Sequence, residues 1–307
     1  MSTYKHRQRL VSAGLLIMLI MLFILAGCAR SEATTESPAV PSETQSTVTI
    51  LAPSATTPPM AVTVNGEGIL LADYQSEINR LQQALAESEQ TMTADEQKET
   101  VLAMLIDSSL LAQEAVHSGF VLDEADLQTR LDDLAVKLGG SAALIDWMNK
   151  YGYDDASMQR SLKLQMLAAQ GRDIITSTVG DNSVQVHARQ IRTSDETAAS
   201  SYYARLQAGT DFATLAEEVD PLTGGELGWF PDGYLLYDDL NEAVLTLKPG
   251  EYSQVIKTQI GYHIIQVIER DETHPLTSET RLFLQHRTLE TWLQTQRDNA
   301  EIVVLVP

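Results

Sequence analysis

The chain has 307 residues, 44 % of them apolar, enough for a hydrophobic core and two modest domains. Its formal charge of -21 leaves no basic stripe to neutralise phosphates, which excludes nucleic acid as a partner; the acidity reads as a well-hydrated surface. The single cysteine excludes an intrachain disulfide and a thiolate cluster, and the six histidines show no HExxH or paired ligand spacing, so no metal and no other cofactor is expected.

In chain order, "MSTYKHRQRL" carries Lys5, Arg7 and Arg9 and no acid, and "AGLLIMLIMLFILA" is an apolar block of 14 residues. A basic start, a short apolar block and small residues describe a secretory signal rather than a spanning helix. The block ends in "LAGC", which resembles the lipobox of bacterial lipoproteins. That resemblance implies a signal peptide over 1–27, a lipidated Cys28 as the mature N-terminus, and a membrane anchor made of several acyl chains together. The bland alternative is an uncleaved anchor with an incidental buried cysteine. Residues 28–60 are dominated by Ser, Thr and Pro and have almost nothing to bury, so they read as a tether. A flexible chain of that length spans roughly 30 Å and holds a folded body away from a membrane surface.

"MAVTVNGEGI" reads as a short strand turning at Asn65-Gly66, with no hairpin partner expected nearby. Leu71, Tyr74, Ile78, Leu81 and Leu85 then share one helical face. Thr93 and Glu96 stand at capping-box spacing before a second helix that ends at Gly119, with His117 placed structurally near its C-terminus. A third helix runs from an Asp123 cap to a Gly pair, and "AALIDWMNKYG" and "DDASMQRSLKLQMLAAQGRDIITSTV" complete a mostly helical region. From Ser183 the period changes. "VQVHARQIRT" reads as a strand, "DETAASSYYARLQAG" and an Asp211-capped "DFATLAEEV" as helices, "GGELGWFPDG" as a Gly-rich turn and strand, and "DDLNEAVLTLKPG" as a short helix. "YSQVIKT" and "GYHIIQVIER" are strands. This is an α+β unit with a small antiparallel sheet. A long amphipathic helix, "LTSETRLFLQHRTLETWLQTQRDNA", and a last strand, "EIVVLV", follow. A lone strand leaves backbone groups unpaired, so the first and last strands are expected to pair. The α+β unit (183–273) is then an insert in a helical domain of 61–182 plus 274–307, to which Leu282, Leu289 and Trp292 of the closing helix return.

The motifs "ARQI", "DFATLAEEV", "GGELGWF", "LKPGEYSQVIKT" and "GYHIIQV", in this order, resemble the parvulin family of peptidyl-prolyl cis-trans isomerases. "VNGEGILLADYQ", "VLAMLIDSSLLAQEA" and "WLQTQRDNAEI" are similar to the helical chaperone region of SurA- and PrsA-type foldases. The resemblance implies an α+β fold: a mostly helical SurA-like domain with an inserted parvulin-like domain. It also implies an extracytoplasmic, lipid-anchored foldase that isomerises X-Pro bonds in unfolded or newly exported polypeptides. Rotation about that amide faces a barrier of about 18–20 kcal/mol and takes tens to hundreds of seconds unaided. No covalent bond breaks, so the chemistry needs an apolar seat for the proline and a preference for the twisted amide, not a nucleophile or a metal.

Carried over residue by residue, the resemblance makes Phe230, Leu235 and Leu240 the proline pocket, where the family usually has Phe, Met and Phe. His263 falls on the family's second histidine and Thr258 on the threonine that hydrogen-bonds within the pair. Asp220 stands where the family has an acid or a cysteine, in a loop shorter than usual. The departure is Gln190: the family's "ARHIL" reads "ARQIR" here. His187 lies three positions away in a strand and faces the other side, so it is not expected to replace the missing ring. Gln190 can donate and accept hydrogen bonds but cannot charge. From the residues alone, His263 reads either as a hydrogen-bonded core histidine or as a group facing a site. Two other functions stay open: a catalytically weak or inactive parvulin-fold chaperone that binds unfolded chains, and an unrelated surface-binding lipoprotein.

Overall fold

A computed structural model describes residues 58–306; the signal segment, Cys28 and the tether as far as residue 57 lie outside the described residues. The backbone packs as two compact units. One comprises the described residues up to Arg172 together with those from Leu293, and the other is Asp173–Trp292.

The first unit opens with strands β1 (Met60–Val64) and β2 (Glu67–Leu70), joined at Asn65-Gly66. Both turn residues have positive φ (52° and 83°), the geometry that favours Asn-Gly in a two-residue hairpin. β1 therefore has the neighbouring partner that the sequence reading denied it. It also pairs antiparallel with β7 (Ile302–Val304), as expected, with Val62 opposite Val304. Helix α1 (Leu71–Glu87) buries Tyr74, Leu81 and Leu85. Helix α2 (Ala94–His117) starts at Thr93, whose hydroxyl accepts from Glu96 N–H while the Glu96 carboxylate accepts from Thr93 N–H. Helix α3 (Glu124–Leu138) is capped by Asp123 and stopped by Gly139 at φ 104°, and α4 (Ser141–Lys150) follows. Helix α5 (Asp155–Thr176) lies so close to α2 that a Cβ at Gly171 would stand 2.0 Å from the Leu111 carbonyl oxygen. One core cluster joins Ala61, Tyr74, Leu81, Leu85, Val101 and Leu105; a second joins Leu134, Met148, Tyr153 and Met158.

The second unit is built on an antiparallel sheet in the order β4-β3-β6-β5: β4 (Glu226–Pro231), β3 (Asn182–Thr193), β6 (Gly261–Pro275) and β5 (Ile256–Thr258). Helices α6 (Glu196–Gln207) and α7 (Phe212–Val219) cover one face, where Leu206, Phe212, Leu215 and Ala216 pack on Ile191 and Ile264. Asp195 and Asp211 cap them through Ala198 N–H and Thr214 N–H. The other face carries Val186, Ala188, Ile265 and Val267, packed against Phe230 and against Leu240 and Val244 of α8 (Asp238–Thr246).

Helix α9 (Ser278–Asn299) runs from the second unit into the first. In the first unit, Arg297 pairs with Asp107 of α2, Nε to Oδ1 at 2.6 Å. Leu282, Leu289 and Trp292 fall in the half that packs with the second unit, and Leu282 is 66 % exposed. Glu279, Phe283 and Arg287, one stripe of the helix, make polar and ring contacts there, and Arg281 binds the Gly180 carbonyl and Asp181.

Candidate functional site

Register decides which side chains meet. In the β3–β6 ladder Gln190 is opposite Ile265 and Arg192 is opposite His263. Alternate residues share a face, so Val186, Ala188, Gln190 and Arg192 line up beside His263, Ile265 and Val267. Gln190 and His263 are thus diagonal neighbours, and their side chains meet: His263 Nδ1 lies 2.9 Å from Gln190 Oε1. On the far side of the ring, Thr258 Oγ1 lies 2.9 Å from His263 Nε2. An amide oxygen only accepts, so Nδ1 carries the proton and Nε2 accepts from the Thr258 hydroxyl. That hydroxyl in turn accepts from Ile260 N–H at 3.2 Å.

His263 is 1 % exposed. Burial pushes its pKa below the ordinary imidazole value, and the positive charge of Arg192, its cross-strand partner, pushes it the same way. The ring is therefore held neutral, in one tautomer, by two uncharged partners.

Two glycines make this arrangement possible. Gly225, at φ +71°, accepts from Gln190 N–H at 2.8 Å, and a Cβ there would stand 1.9 Å from the Gln190 carbonyl oxygen. Gly261, at φ +129°, would put a Cβ 2.4 Å from the Thr193 carbonyl oxygen; it closes the turn that presents Thr258. Neither position accepts a side chain without moving β3.

The three expected pocket residues share one apolar cluster on the His263 face. Phe230 is 2 % and Leu240 5 % exposed, with Leu235 half-buried against them. Ile256, directly opposite His263 on β5, joins the same cluster, so the apolar surface reaches the ring without a break. Leu235 is fixed by its backbone: its N–H donates to Asn241 Oδ1 at 3.0 Å, and Asn241 Nδ2 donates to its carbonyl at 2.6 Å. A small cavity of about 40 Å³ opens at the far end of the cluster, where Val186, Phe230, Val244 and Arg270 meet.

Asp220 stands apart from the hydrogen-bonded set. Its carboxylate accepts from Leu222 N–H, Thr223 N–H and the Thr223 hydroxyl, which closes the turn after α7. The Thr223 hydroxyl and backbone hydrogen bonds hold its pKa below the usual carboxylate value. His187 is likewise elsewhere. It binds Glu226 at 2.5 Å and stacks on Trp229, which itself stacks on His274 with ring centroids 4.0 Å apart. The set that meets is thus Gln190, His263 and Thr258, beside Phe230, Leu235 and Leu240. Sequence reading passed over Arg192, Asn241 and the glycines' close approach. Arg192 was findable, because it lies two positions from Gln190 and so on the same face of the strand. Asn241 was not, because its bonds close a loop whose path no periodicity announces.

The arrangement sets an apolar cluster beside a buried, neutral, hydrogen-bonded ring. Among known families, the profile of the SurA-like N-terminal domain matches residues 1–172, and that of the PPIC-type PPIASE domain matches residues 158–271. Foldase protein PrsA of Caldanaerobacter subterraneus subsp. tengcongensis is 31 % identical over 221 residues, 66 % of this chain and 71 % of that protein. Chaperone SurA of Nitrosococcus oceani is 34 % identical over 112 residues, 32 % of this chain and 26 % of that protein. The crystal structure of the peptidylprolyl isomerase PrsA from Bacillus cereus is 22 % identical, covering 68 % of this chain and 87 % of that one at a TM-score of 0.43.

Proposed function

The chain belongs to the PrsA/SurA family of foldases and is a peptidyl-prolyl cis-trans isomerase of the parvulin class, and from that premise we propose that it turns X-Pro bonds in exported, unfolded polypeptides. In this reading 183–273 is the parvulin-like domain and 61–182 plus 274–307 the helical SurA-N-like domain in which it is inserted, with the first half of α9, up to Trp292, packed with the parvulin-like unit. Cys28 is lipidated and holds the protein to the bacterial membrane, outside the cytoplasm, on the tether of 28–60.

The observation that carries the reading is the continuity of one sheet face: the Gln190–His263–Thr258 chain beside the cluster of Phe230, Leu235 and Leu240. A proline seated on Leu240 and Leu235 places its amide in a poorly hydrated site. Twisting the amide removes the C–N double-bond character and with it much of the carbonyl's charge separation. Water stabilises the planar, polar form best, so removing water favours the twisted one. His263 and Thr258 keep that wall rigid and uncharged. Asp220 acts one step back, shaping the turn beside the site.

The test is a client whose refolding is limited by X-Pro isomerisation. The slow phase is expected to accelerate with added protein and to lose that acceleration with Leu240→Ala. No acceleration by wild type overturns the catalytic reading. Anchoring is tested separately: Cys28→Ser is expected to move the protein from the membrane fraction to the soluble one.

Gln190 motivates a second reading, in which the site has lost turnover and the protein only holds unfolded chains. In the helical unit Val121, Val136 and Ile145 are 83 %, 77 % and 58 % exposed and available to apolar segments of an unfolded chain. Suppression of client aggregation with no isomerase activity selects it.

A further inference from the structure

The loop that carries Leu235, between β4 and α8, is held from outside by α9. Glu279, Phe283 and Arg287 are spaced four residues apart, one stripe along that helix. All three meet the loop. Arg287 donates to the backbone carbonyl of Asp232, and its second terminal nitrogen donates to Asp232 Oδ2 at 3.0 Å. Tyr234 donates its phenol proton to Glu279 at 2.5 Å and packs edge-on against Phe283, centroids 5.1 Å apart. Tyr234 also stacks on Phe230, the buried pocket residue, at 6.1 Å. Gly233 belongs to the same joint: its φ is +77°, and a Cβ there would stand 2.5 Å from Arg287 Nη1, so the guanidinium lies where a side chain would be.

A half-exposed ion pair alone contributes little. Here an ion pair, two further hydrogen bonds and an edge-on ring contact converge from one rigid helix on three consecutive loop residues, next to Leu235. We propose that the first half of α9 is a working part of the isomerase site, with Arg287, Glu279 and Phe283 as positioning residues that clasp the Leu235 loop over the proline seat. The clasp lies beyond residue 271, where the matched PPIC-type profile ends. The inference deepens the isomerase reading and rests on it for its catalytic part, but the clasp itself is readable without catalysis.

The experiment compares wild type, Arg287→Ala, Arg287→Lys, Gly233→Ala and Arg281→Ala in the full chain. Arg281 is the control, since on the same helix it binds the Gly180 carbonyl and Asp181, away from the Leu235 loop. Two readouts are taken: amide hydrogen exchange of residues 232–237, and NMR exchange rates of a short Ala-Pro peptide with their KM and kcat parts. Arg287→Ala and Gly233→Ala are expected to speed loop amide exchange and to lower catalytic efficiency roughly fivefold to tenfold, mainly through KM. Arg287→Lys is expected to lie between them and wild type, and Arg281→Ala to match wild type in both readouts. The clasp is overturned if Arg287→Ala leaves loop exchange unchanged, or if Arg281→Ala loosens the loop as much. A loosened loop with wild-type catalysis overturns the positioning role. Wild type that speeds no peptide exchange sinks the isomerase reading, while loop exchange still decides the clasp.

Discussion

Two histidines of one sheet, His263 and His187, have opposite surroundings. His263 is fully buried, and both ring nitrogens face uncharged partners, Gln190 and Thr258. His187 is partly exposed, pairs with a carboxylate, Glu226, and stacks on Trp229. The first arrangement suits a ring that must stay neutral in an apolar wall, the second a surface ring that braces a sheet edge. Parity along β3 and the β-ladder, not proximity in sequence, sorted them: Gln190 and His187 are three residues apart on one strand and serve different faces.

The most severe way to break the His263 side is to displace the backbone beneath it. Gly225→Ala sets a methyl against the Gln190 carbonyl at positive φ. It is expected to cost about 4 kcal/mol or more in a urea melt, and to abolish peptide exchange with it. Leu240→Ala removes a buried side chain from the cluster proposed as the proline seat. Its expected cost is about 2–5 kcal/mol, with a loss of exchange larger than the loss of folded protein explains. His263→Ala removes the ring that Gln190 Oε1 and the Thr258 hydroxyl bind, at about 1–3 kcal/mol, and is expected to lower peptide exchange at least tenfold. The sharpening partner is His187→Ala, expected to stay within about twofold of wild type in the same assay. Equal losses at the two positions would contradict the division between them.

The smallest effect is in pH. Because the folded pKa of His263 is depressed, both states are neutral above the unfolded value of about 6.5 and the ring adds no pH dependence there. Below it the unfolded chain takes up a proton that the folded chain refuses. Stability then falls, by at most about 1.4 kcal/mol per pH unit, until the lowered folded pKa is passed. His263→Gln is expected to remove this component from urea midpoints measured between pH 7 and 5, and an unchanged slope would contradict it.

Much of this fold was legible in the sequence. The Thr93–Glu96 box, the Asp123 and Asp211 caps and the Gly pair after α3 are local signals, and the structure realises them locally. The β1–β7 pairing followed from the cost of unpaired strands. The β1–β2 hairpin was missed because only four residues after Asn65-Gly66 remain extended before α1 starts at once. The closing helix was expected to return to the helical unit; its first half groups with the second unit and Leu282 is exposed, because amphipathic spacing marks a stripe but not what covers it. Motif order drew attention to Gln190, Thr258 and His263, whose side chains meet, and strand parity set His187 apart from them. The tautomer of His263, the local bonding of Asp220 and the joint at Gly233 depend on register and loop path, which no residue pattern encodes.

The central claim is that Gln190 serves in place of a second ring and leaves a working isomerase. Exchange-spectroscopy NMR of a short Ala-Pro peptide, with residues 58–307 of wild type and of Gln190→His, tests it most directly. Wild type is expected to accelerate exchange, with the variant within about tenfold of it. Acceleration by Gln190→His alone would contradict the claim and leave the natural site an intact pocket that does not turn over.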